Sequence, residues 1–339
     1  MKKYNVAILG IRGAVGQEFY KILKQRKFPV NRLRLLSTSA VNETIDGIPI
    51  ETVNEHSFDG MDIGLFSPGA EVSKIWAPIA AKAGCVVIDN TSQFRMDKNV
   101  PLVVPEVNPQ EAFKHQGIIA NPNCSTIQMV VALKPLHDYG KIKRVVVSTY
   151  QSVSGAGSEA IEELEKQSKM RQLPPKKFPH PIAFNLIPQI DVAMDNFYTK
   201  EEMKMVHETK KIMNDPSIKV TATCVRVPVF YAHSESVNIE TKKKISRKKA
   251  IQLLEKAPGV KVIDHLSLNK YPLPLAAAGT DETFVGRIRE DETIDNGLNL
   301  WVVSDNLRKG AALNAIQIAE ILIKEGSLRQ NRHAKSKRS

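Results

Sequence analysis

The sequence predicts an α/β fold in two parts: a parallel sheet with helices on both faces, then an α+β domain with a largely antiparallel sheet. Three observations predict it. The first third of the chain alternates short, continuous apolar strands with helical stretches, the pattern of strands buried on both faces. A glycine cluster, Gly10-Ile11-Arg12-Gly13-Ala14-Val15-Gly16, closes the first strand and opens the first helix. From Lys143 onward, longer β-branched runs follow one another with few helices between them. At 339 residues the chain is also too long for one simple core.

Residues 4–9 form a short apolar strand, and Val15, Phe19, Ile22 and Leu23 mark one face of the helix after it. Further strands are expected at 33–36, 63–66, 86–88 and 117–120, separated by helical stretches that include the alanine-rich 75–83. The second sheet is expected from 143–153, where Val145, Val146, Val147 and Thr149 are β-branched, and from 220–230, 236–241, 283–288 and 298–303. Between its first two strands lies a long excursion. It holds a helix over 158–169 and the proline-rich run Leu173 to Pro181, and a loop of that length serves a function or an interface. Residues 310–322, with Ala311, Asn314, Ala315, Ile318 and Leu322 at helical spacing, read as a helix that returns to the first domain. No internal repeat is present.

Composition narrows the class. With 42% hydrophobic and 25% charged residues the chain reads as an ordinary globular protein. No apolar run approaches the eighteen or so residues that span a bilayer, so no membrane partner is expected. The N-terminus enters a strand at once and lacks the flanks of a signal peptide. Three scattered cysteines, Cys85, Cys124 and Cys224, without C-x-x-C spacing point to reduced cytoplasmic thiols rather than a disulfide framework or a metal site. The formal charge of +12 invites a nucleic-acid reading, but five of those charges sit in residues 329–338 without an acid. That tail reads as a solvated, disordered extension, and no aromatic–basic interleaving supports nucleic-acid binding.

The glycine cluster carries the cofactor signal. Its G-x-x-G-x-x-G spacing lets backbone approach a pyrophosphate, whose charge settles on the helix N-terminus, so the first domain reads as a Rossmann-type dinucleotide-binding unit. An NAD-selective site places an acid at the end of the second strand; here that position reads Ser37-Thr38-Ser39, hydroxyls that suit a 2′-phosphate and favour NADP. Arg12, inside the loop, is a second candidate for that phosphate.

Asn121-Pro122-Asn123-Cys124-Ser125-Thr126 sets a cysteine at the start of an apolar helix. The unpaired N–H groups and partial positive charge of a helix N-terminus favour the thiolate, the form that attacks carbonyl carbon. Cys85, within Cys85-Val86-Val87-Ile88, reads as core. Four more segments set polar residues among apolar or glycine-rich ones: Asn90 to Arg95, Gln151 to Gly157, Glu201 to Lys204, and Arg226 to His233. Arg226 inside an apolar run calls for an anionic partner. Arg226 and His233 are seven residues apart, so an unbroken strand would point them to opposite faces; Pro228 or a bulge must break it.

Taken together and in order, these motifs closely resemble the aspartate-β-semialdehyde dehydrogenases, from residue 4 to about 328. The resemblance implies a glyceraldehyde-3-phosphate dehydrogenase-like architecture. Residues 1–125 with 308–327 would bind NADP, 126–307 would form the catalytic and dimerisation domain, and 328–339 would be the basic tail. It implies a homodimer or homotetramer, no metal, and reversible reductive dephosphorylation of 4-aspartyl phosphate to aspartate 4-semialdehyde through a cysteine thioester. Carried over by motif, Cys124 is the nucleophile, His233 the general acid/base and Gln151 the group that orients the acyl intermediate. Arg226 clamps the substrate carboxylate, Glu201 meets the α-amino group, and Arg95 with Lys204 holds phosphate. Gly10, Arg12, Gly13, Ala14, Val15, Gly16, Ser37, Thr38, Ser39, Ser67, Gly155 and Asn314 are the cofactor candidates, Asn314 at the nicotinamide carboxamide. Two places depart from the usual pattern: Gly10-Ile11-Arg12-Gly13 stands for Gly-Ala-Thr-Gly, and Ser67-Pro68-Gly69-Ala70 for Ser-Ala-Gly-Gly. Another acyl-phosphate reductase, such as N-acetylglutamyl-phosphate reductase, and an inactive dinucleotide-binding regulatory homologue are the alternatives. Glyceraldehyde-3-phosphate dehydrogenase itself is more distant.

Overall fold

A computed structural model describes residues 2–326 and 328, apart from 41 and 171. Of the basic tail expected over 328–339, residues 329–339 lie outside them. Contacts divide the chain into two compact units, 1–122 with 311–339, and 123–310.

The first unit is built on a seven-stranded sheet in the order β3-β4-β2-β1-β5-β6-β7. Its strands are β1 (Tyr4–Leu9), β2 (Val30–Ser37), β3 (Thr44–Ile45), β4 (Ile48–Thr52), β5 (Ile63–Phe66), β6 (Val86–Asp89) and β7 (Ile118–Ala120). All neighbours run parallel except β3 and β4. Alternation along β1 feeds two cores, because successive side chains leave a strand on opposite faces. Tyr4, Val6 and Ile8 join Phe19, Ile22 and Leu23 of helix α1 (Ala14–Gln25) and Ile316, Ile318 and Leu322 of a returning C-terminal helix (Leu313–Lys324). Ala7 and Leu9 join Ala77 and Ala80 of helix α2 (Ala70–Lys82), with Cys85 in the same cluster. Both faces are therefore covered, which is why these strands read as continuous apolar runs.

The second unit opens with helix α3 (Cys124–Gly140), and the helices α4 (Ser158–Lys169), α5 (Lys200–Ile212), α6 (Arg247–Glu255) and α7 (Pro274–Ala277) follow it. The returning helix of the first unit is α8. The second sheet comprises β8 (Ile142–Gln151), β9 (Lys219–Arg226), β10 (His233–Thr241), β11 (Val260–Val262), β12 (Thr283–Asp291) and β13 (Gly297–Ser304) in the order β11-β12-β13-β10-β8-β9. The three central pairs are antiparallel; the outer pairs β8–β9 and β11–β12 are parallel.

Two expectations change. The strand expected over 220–230 stops at Arg226, and residues 227–232 form a loop containing Pro228 and Ala232 at φ 68°. The excursion after α4 is less open than its composition suggests: Ile182 and Ile187 are buried with Val153, Ala160 and Leu164, while Phe184 and Leu186 remain exposed. Among the described residues, no helix is long and apolar enough to cross a membrane.

Candidate active site

The site grows from the N-terminus of α3. Asn123, with extended φ −63° and ψ 143°, accepts hydrogen bonds on its side-chain oxygen from the N–H groups of Ser125 (3.0 Å) and Thr126 (3.2 Å). That is the N-cap bond which satisfies the orphan donors of a first turn. Cys124 is thereby fixed as the first helical residue and stays half-buried, whereas Cys85 and Cys224 are buried. Helix α5 braces the cap: Glu208 Oε2 accepts the Asn123 N–H at 2.7 Å, and Glu201 Oε1 accepts Asn123 Nδ2 at 2.9 Å. Gly310 completes the surround, since a Cβ there would lie 3.0 Å from Cys124 Cβ.

The sheet supplies the remaining groups as a row. Arg226 of β9 pairs in register with Gln151 of β8, and His233 of β10 stands one place beyond the Ser234–Tyr150 pair, also opposite Gln151. Arg226, Gln151 and His233 thus occupy one cross-strand row at the sheet end and are all buried. Their seven-residue spacing is no obstacle, because the chain leaves β9 at Arg226 and re-enters the sheet at His233, with β8 between the two strands.

Arg226 is held by backbone bonds to Ile187 in both directions (2.8 and 3.0 Å), and its Nη1 donates to the Ser152 carbonyl at 2.7 Å. It makes no ion pair among the described residues. Burial pulls its pKa down, opposed by the charge of Glu201; a guanidinium remains protonated regardless. A buried cation without a carboxylate calls for an anionic partner. Burial alone would raise the pKa of Glu201. The charge of Lys204 and hydrogen bonds from Lys204, Asn123 and Gln151 outweigh it and keep Glu201 below the usual carboxylate value. Lys204 is itself bound by Glu201 Oε2 (3.0 Å) and Asp191 Oδ2 (2.9 Å), so an incoming anion must compete with two carboxylates.

His233 is fully buried; desolvation and then the positive charge of Arg226 push its pKa well below the ordinary histidine value. Gly155 lies against both groups. A Cβ at 155 would stand 3.0 Å from Arg226 Nη1 and 3.2 Å from His233 Nε2, which places Gly155 beside the buried polar row of the second unit.

In the first unit, Gly10 takes φ 93°, and a Cβ on it would sit 2.8 Å from the Ser67 backbone; one on Gly16 would sit 2.2 Å from the Gly10 carbonyl oxygen. Only glycine fits either place. Gly13 caps α1 without a side-chain bond, no acid occupies the first turn that Ala14, Val15 and Gly16 begin, and Ser67 Oγ is buried without a partner. The loop therefore fits a pyrophosphate. Ser37 is buried at the end of β2, 3.4 Å from Ser39 Oγ, while Thr38 and Ser39 are exposed. Arg12 is exposed and pairs with Glu43 at 3.4 Å. Arg95, also in this unit, spends Nε on the Asn121 carbonyl and Nη2 on the Asn90 carbonyl, both at 2.9 Å. Asn314 donates to Val103 O (3.0 Å) and Asn121 Oδ1 (2.7 Å). Among the described residues, no group of three or more His, Cys, Asp or Glu side chains is placed to hold a metal.

Sequence reasoning missed Glu235, one place deeper on the same face of β10. It is fully buried with neither carboxyl oxygen hydrogen-bonded, and desolvation raises its pKa well above the ordinary value, outweighing the lowering influence of Gln128. A raised folded pKa means that its contribution to stability is complete below the unfolded value of about 4.3 and is lost as pH rises toward the folded value, at up to about 1.4 kcal/mol per pH unit. Glu235→Gln, neutral at every pH, is expected to gain stability over the parent protein from about pH 5 to about pH 7. Denaturant midpoints at both values check this; a gap between the proteins that does not change with pH sinks it.

A glycine-loop dinucleotide unit in one chain with an α+β unit that opens on a capped cysteine helix defines a class, the nicotinamide-dependent oxidoreductases. Family models agree: residues 5–115 match the semialdehyde dehydrogenase NAD binding domain, and residues 133–309 match the semialdehyde dehydrogenase dimerisation domain. The aspartate-semialdehyde dehydrogenase of Aquifex aeolicus is 57% identical over 336 residues, covering 95% of this chain and 99% of that one. Its counterpart from Shewanella violacea is 53% identical, covering 96% and 99%. The chain belongs to the aspartate-semialdehyde dehydrogenase family. Among solved structures, aspartate semialdehyde dehydrogenase II of Vibrio cholerae complexed with ASA is 50% identical, with a TM-score of 0.91 over 96% of this chain and 99% of that one. The Candida albicans enzyme with NADP is 26% identical, with a TM-score of 0.74 over 96% and 100%.

Proposed function

We propose that this chain interconverts 4-aspartyl phosphate and aspartate 4-semialdehyde with NADP(H), working in the reductive direction for lysine, threonine and methionine biosynthesis, the diaminopimelate route included. The observation that carries the reading is the buried row Arg226–Gln151–His233 in the same compact unit as the half-exposed Cys124. Arg226 binds the α-carboxylate, as an unpaired buried guanidinium suits, and the ionised Glu201 meets the α-amino group. Cys124 attacks the acyl carbon and displaces phosphate; Gln151 orients the acyl group, and His233 acts as the general acid/base. Arg95 and Lys204 are assigned to phosphate. The nicotinamide supplies the hydride when bound.

Cofactor contacts are assigned to Gly10, Arg12, Gly13, Ala14, Val15, Gly16, Ser37, Thr38, Ser39 and Ser67, with Asn314 toward the carboxamide and Gly155 on the substrate side. The serines and threonine at 37–39, where an NAD-selective site has an acid, favour NADP, and the NADP complex of the Candida albicans relative supports it. The domain that matches the dimerisation model exposes Phe184, Leu186, Val192, Met194 and Phe197 around the excursion, more apolar surface than a monomer suits, which supports a homodimer or a dimer of dimers. A cytoplasmic setting follows from the scattered free thiols. The test is NADPH absorbance with aspartate semialdehyde and phosphate. Phosphate-dependent reduction of NADP is expected, and no turnover with either nicotinamide cofactor overturns the reading.

A further inference from the structure

Part of the excursion, residues 173–183, is fastened to helix α4 by two buried side chains. Glu163 Oε2 accepts the backbone N–H groups of Lys176 (2.9 Å) and Lys177, while its Oε1 accepts from Gln167 Nε2 at 3.2 Å. Gln167 in turn gives its Oε1 to the N–H groups of Ile182 (2.9 Å) and Ala183 (3.2 Å). Four backbone donors of one segment therefore end on two side chains spaced i, i+4 along one helix face. Glu159, one turn earlier on that face, pairs with Lys177 at 3.1 Å. Underneath, Ile182 packs with Val153, Ala160 and Leu164, and Phe178 rests against the same cluster.

Phe178 lies between the two fastenings. The guanidinium carbon of Arg226 stands over its ring, 6.0 Å from the ring centre. Further along the excursion, Ile187 exchanges two backbone hydrogen bonds with Arg226. One segment thus grips Arg226 by its main chain and covers its side chain with an aromatic ring. The ring face carries partial negative charge, so it attracts the cation and gives an entering anion nothing to bond.

We propose that Phe178 is a specificity-determining residue, an apolar wall beside Arg226 that favours a carboxylate over a tetrahedral anion, with Glu163 and Gln167 as the positioning residues that hold it there. This rests on the reading of Arg226 as the receptor for the substrate α-carboxylate. Both anions of the reaction suit a bare guanidinium, because carboxylate and phosphate each offer it two oxygens. They differ in what is left over. A carboxylate has no further oxygen. Phosphate has two more, and against an apolar wall those oxygens lose water without gaining a donor. Excluding water also strengthens the attraction between Arg226 and the carboxylate that is accepted.

The test is steady-state kinetics with inorganic sulfate, a tetrahedral anion, as inhibitor against the semialdehyde at saturating phosphate. Phe178→Ala is expected to raise KM for the semialdehyde at least fivefold with kcat within threefold of the parent. Sulfate should compete with the semialdehyde at least tenfold more strongly in that variant, and Phe178→Tyr, which keeps the ring, should restore the parent values. Glu163→Gln has one acceptor oxygen where both now accept, so it should shift KM and sulfate inhibition in the same direction. Hydrogen exchange of the unliganded protein reads the fastening without substrate: the Lys176 and Lys177 amides should exchange at least tenfold faster in Glu163→Gln. A Phe178→Ala protein that loses thermal stability but keeps the parent KM and sulfate inhibition overturns the proposal. So does a Glu163→Gln protein whose amides exchange faster while its kinetics hold. If Arg226→Lys leaves KM for the semialdehyde unchanged, the proposal falls through its premise, and the exchange result, obtained without substrate, shows that the premise was at fault.

Discussion

Cys124→Ala is expected to abolish phosphate-dependent oxidation of aspartate semialdehyde, by about 10⁴-fold or more, since removal of a nucleophile takes the covalent route with it. Cofactor binding should survive, because the glycine loop lies in residues 10–16 of the other compact unit. The fold should survive as well. Asn123, not Cys124, caps α3, and alanine is the best helix former for an interior or first-turn position. Fluorescence titration with NADPH and a thermal melt check those two points beside the assay. The other cysteines make the contrast. Cys85 sits in the core shared with α2, and burial pushes the Cys224 thiol far up, away from the thiolate form. Their alanine variants should lose roughly 1 kcal/mol of stability and keep turnover. An active Cys124→Ala protein removes the covalent mechanism.

What was legible in the sequence was what depends on short range. Helix α4 falls on residues 158–169 as its periodicity predicts, and β1 runs from 4 to 9 before a turn in which Gly10 and Gly16 have no room for a side chain. The Asn123 cap reads locally too, because a capping side chain reaches only two or three residues. The β3–β4 hairpin was overlooked although its turn is written in Asp46-Gly47, both at positive φ, a standard two-residue signal flanked by an isoleucine on each side. Other features could not be read because they depend on strand order. Arg226 and His233 share a row only because β8 lies between β9 and β10. The Ser152 hydroxyl meets Asn306 across 154 residues of sequence, a contact that nothing local announces. Glu235 looks like an exposed strand residue until the alternation of β10 puts it on the same buried face as His233.

Arg226→Lys is expected to lower turnover and raise the Michaelis constant for the semialdehyde by at least tenfold, with that for phosphate nearly unchanged. The arginine uses Nη1 on the Ser152 carbonyl and has further N–H groups for the carboxylate proposed for it; an ammonium cannot serve both in fixed geometry. Loss of one partner in such a desolvated charge contact costs about 2–5 kcal/mol. A carboxylate held out of plane also misplaces the reacting carbon, which is why kcat should fall with affinity. Arg95→Leu should do the reverse and raise the constant for phosphate far more than that for the semialdehyde. Arg95 has a second duty, because two of its N–H groups brace the carbonyls of Asn90 and Asn121 at 2.9 Å. A melt must therefore accompany the kinetics. A lower Tm with both Michaelis constants raised alike means that Arg95 shapes the loop and leaves phosphate to Lys204, which would have to exchange Asp191 or Glu201 for it. A phosphate constant that rises alone, at unchanged Tm, means that two separate cationic clamps distinguish the two anions. If Arg226→Lys weakens phosphate and semialdehyde equally, the division of labour is wrong even though the chemistry at Cys124 stands.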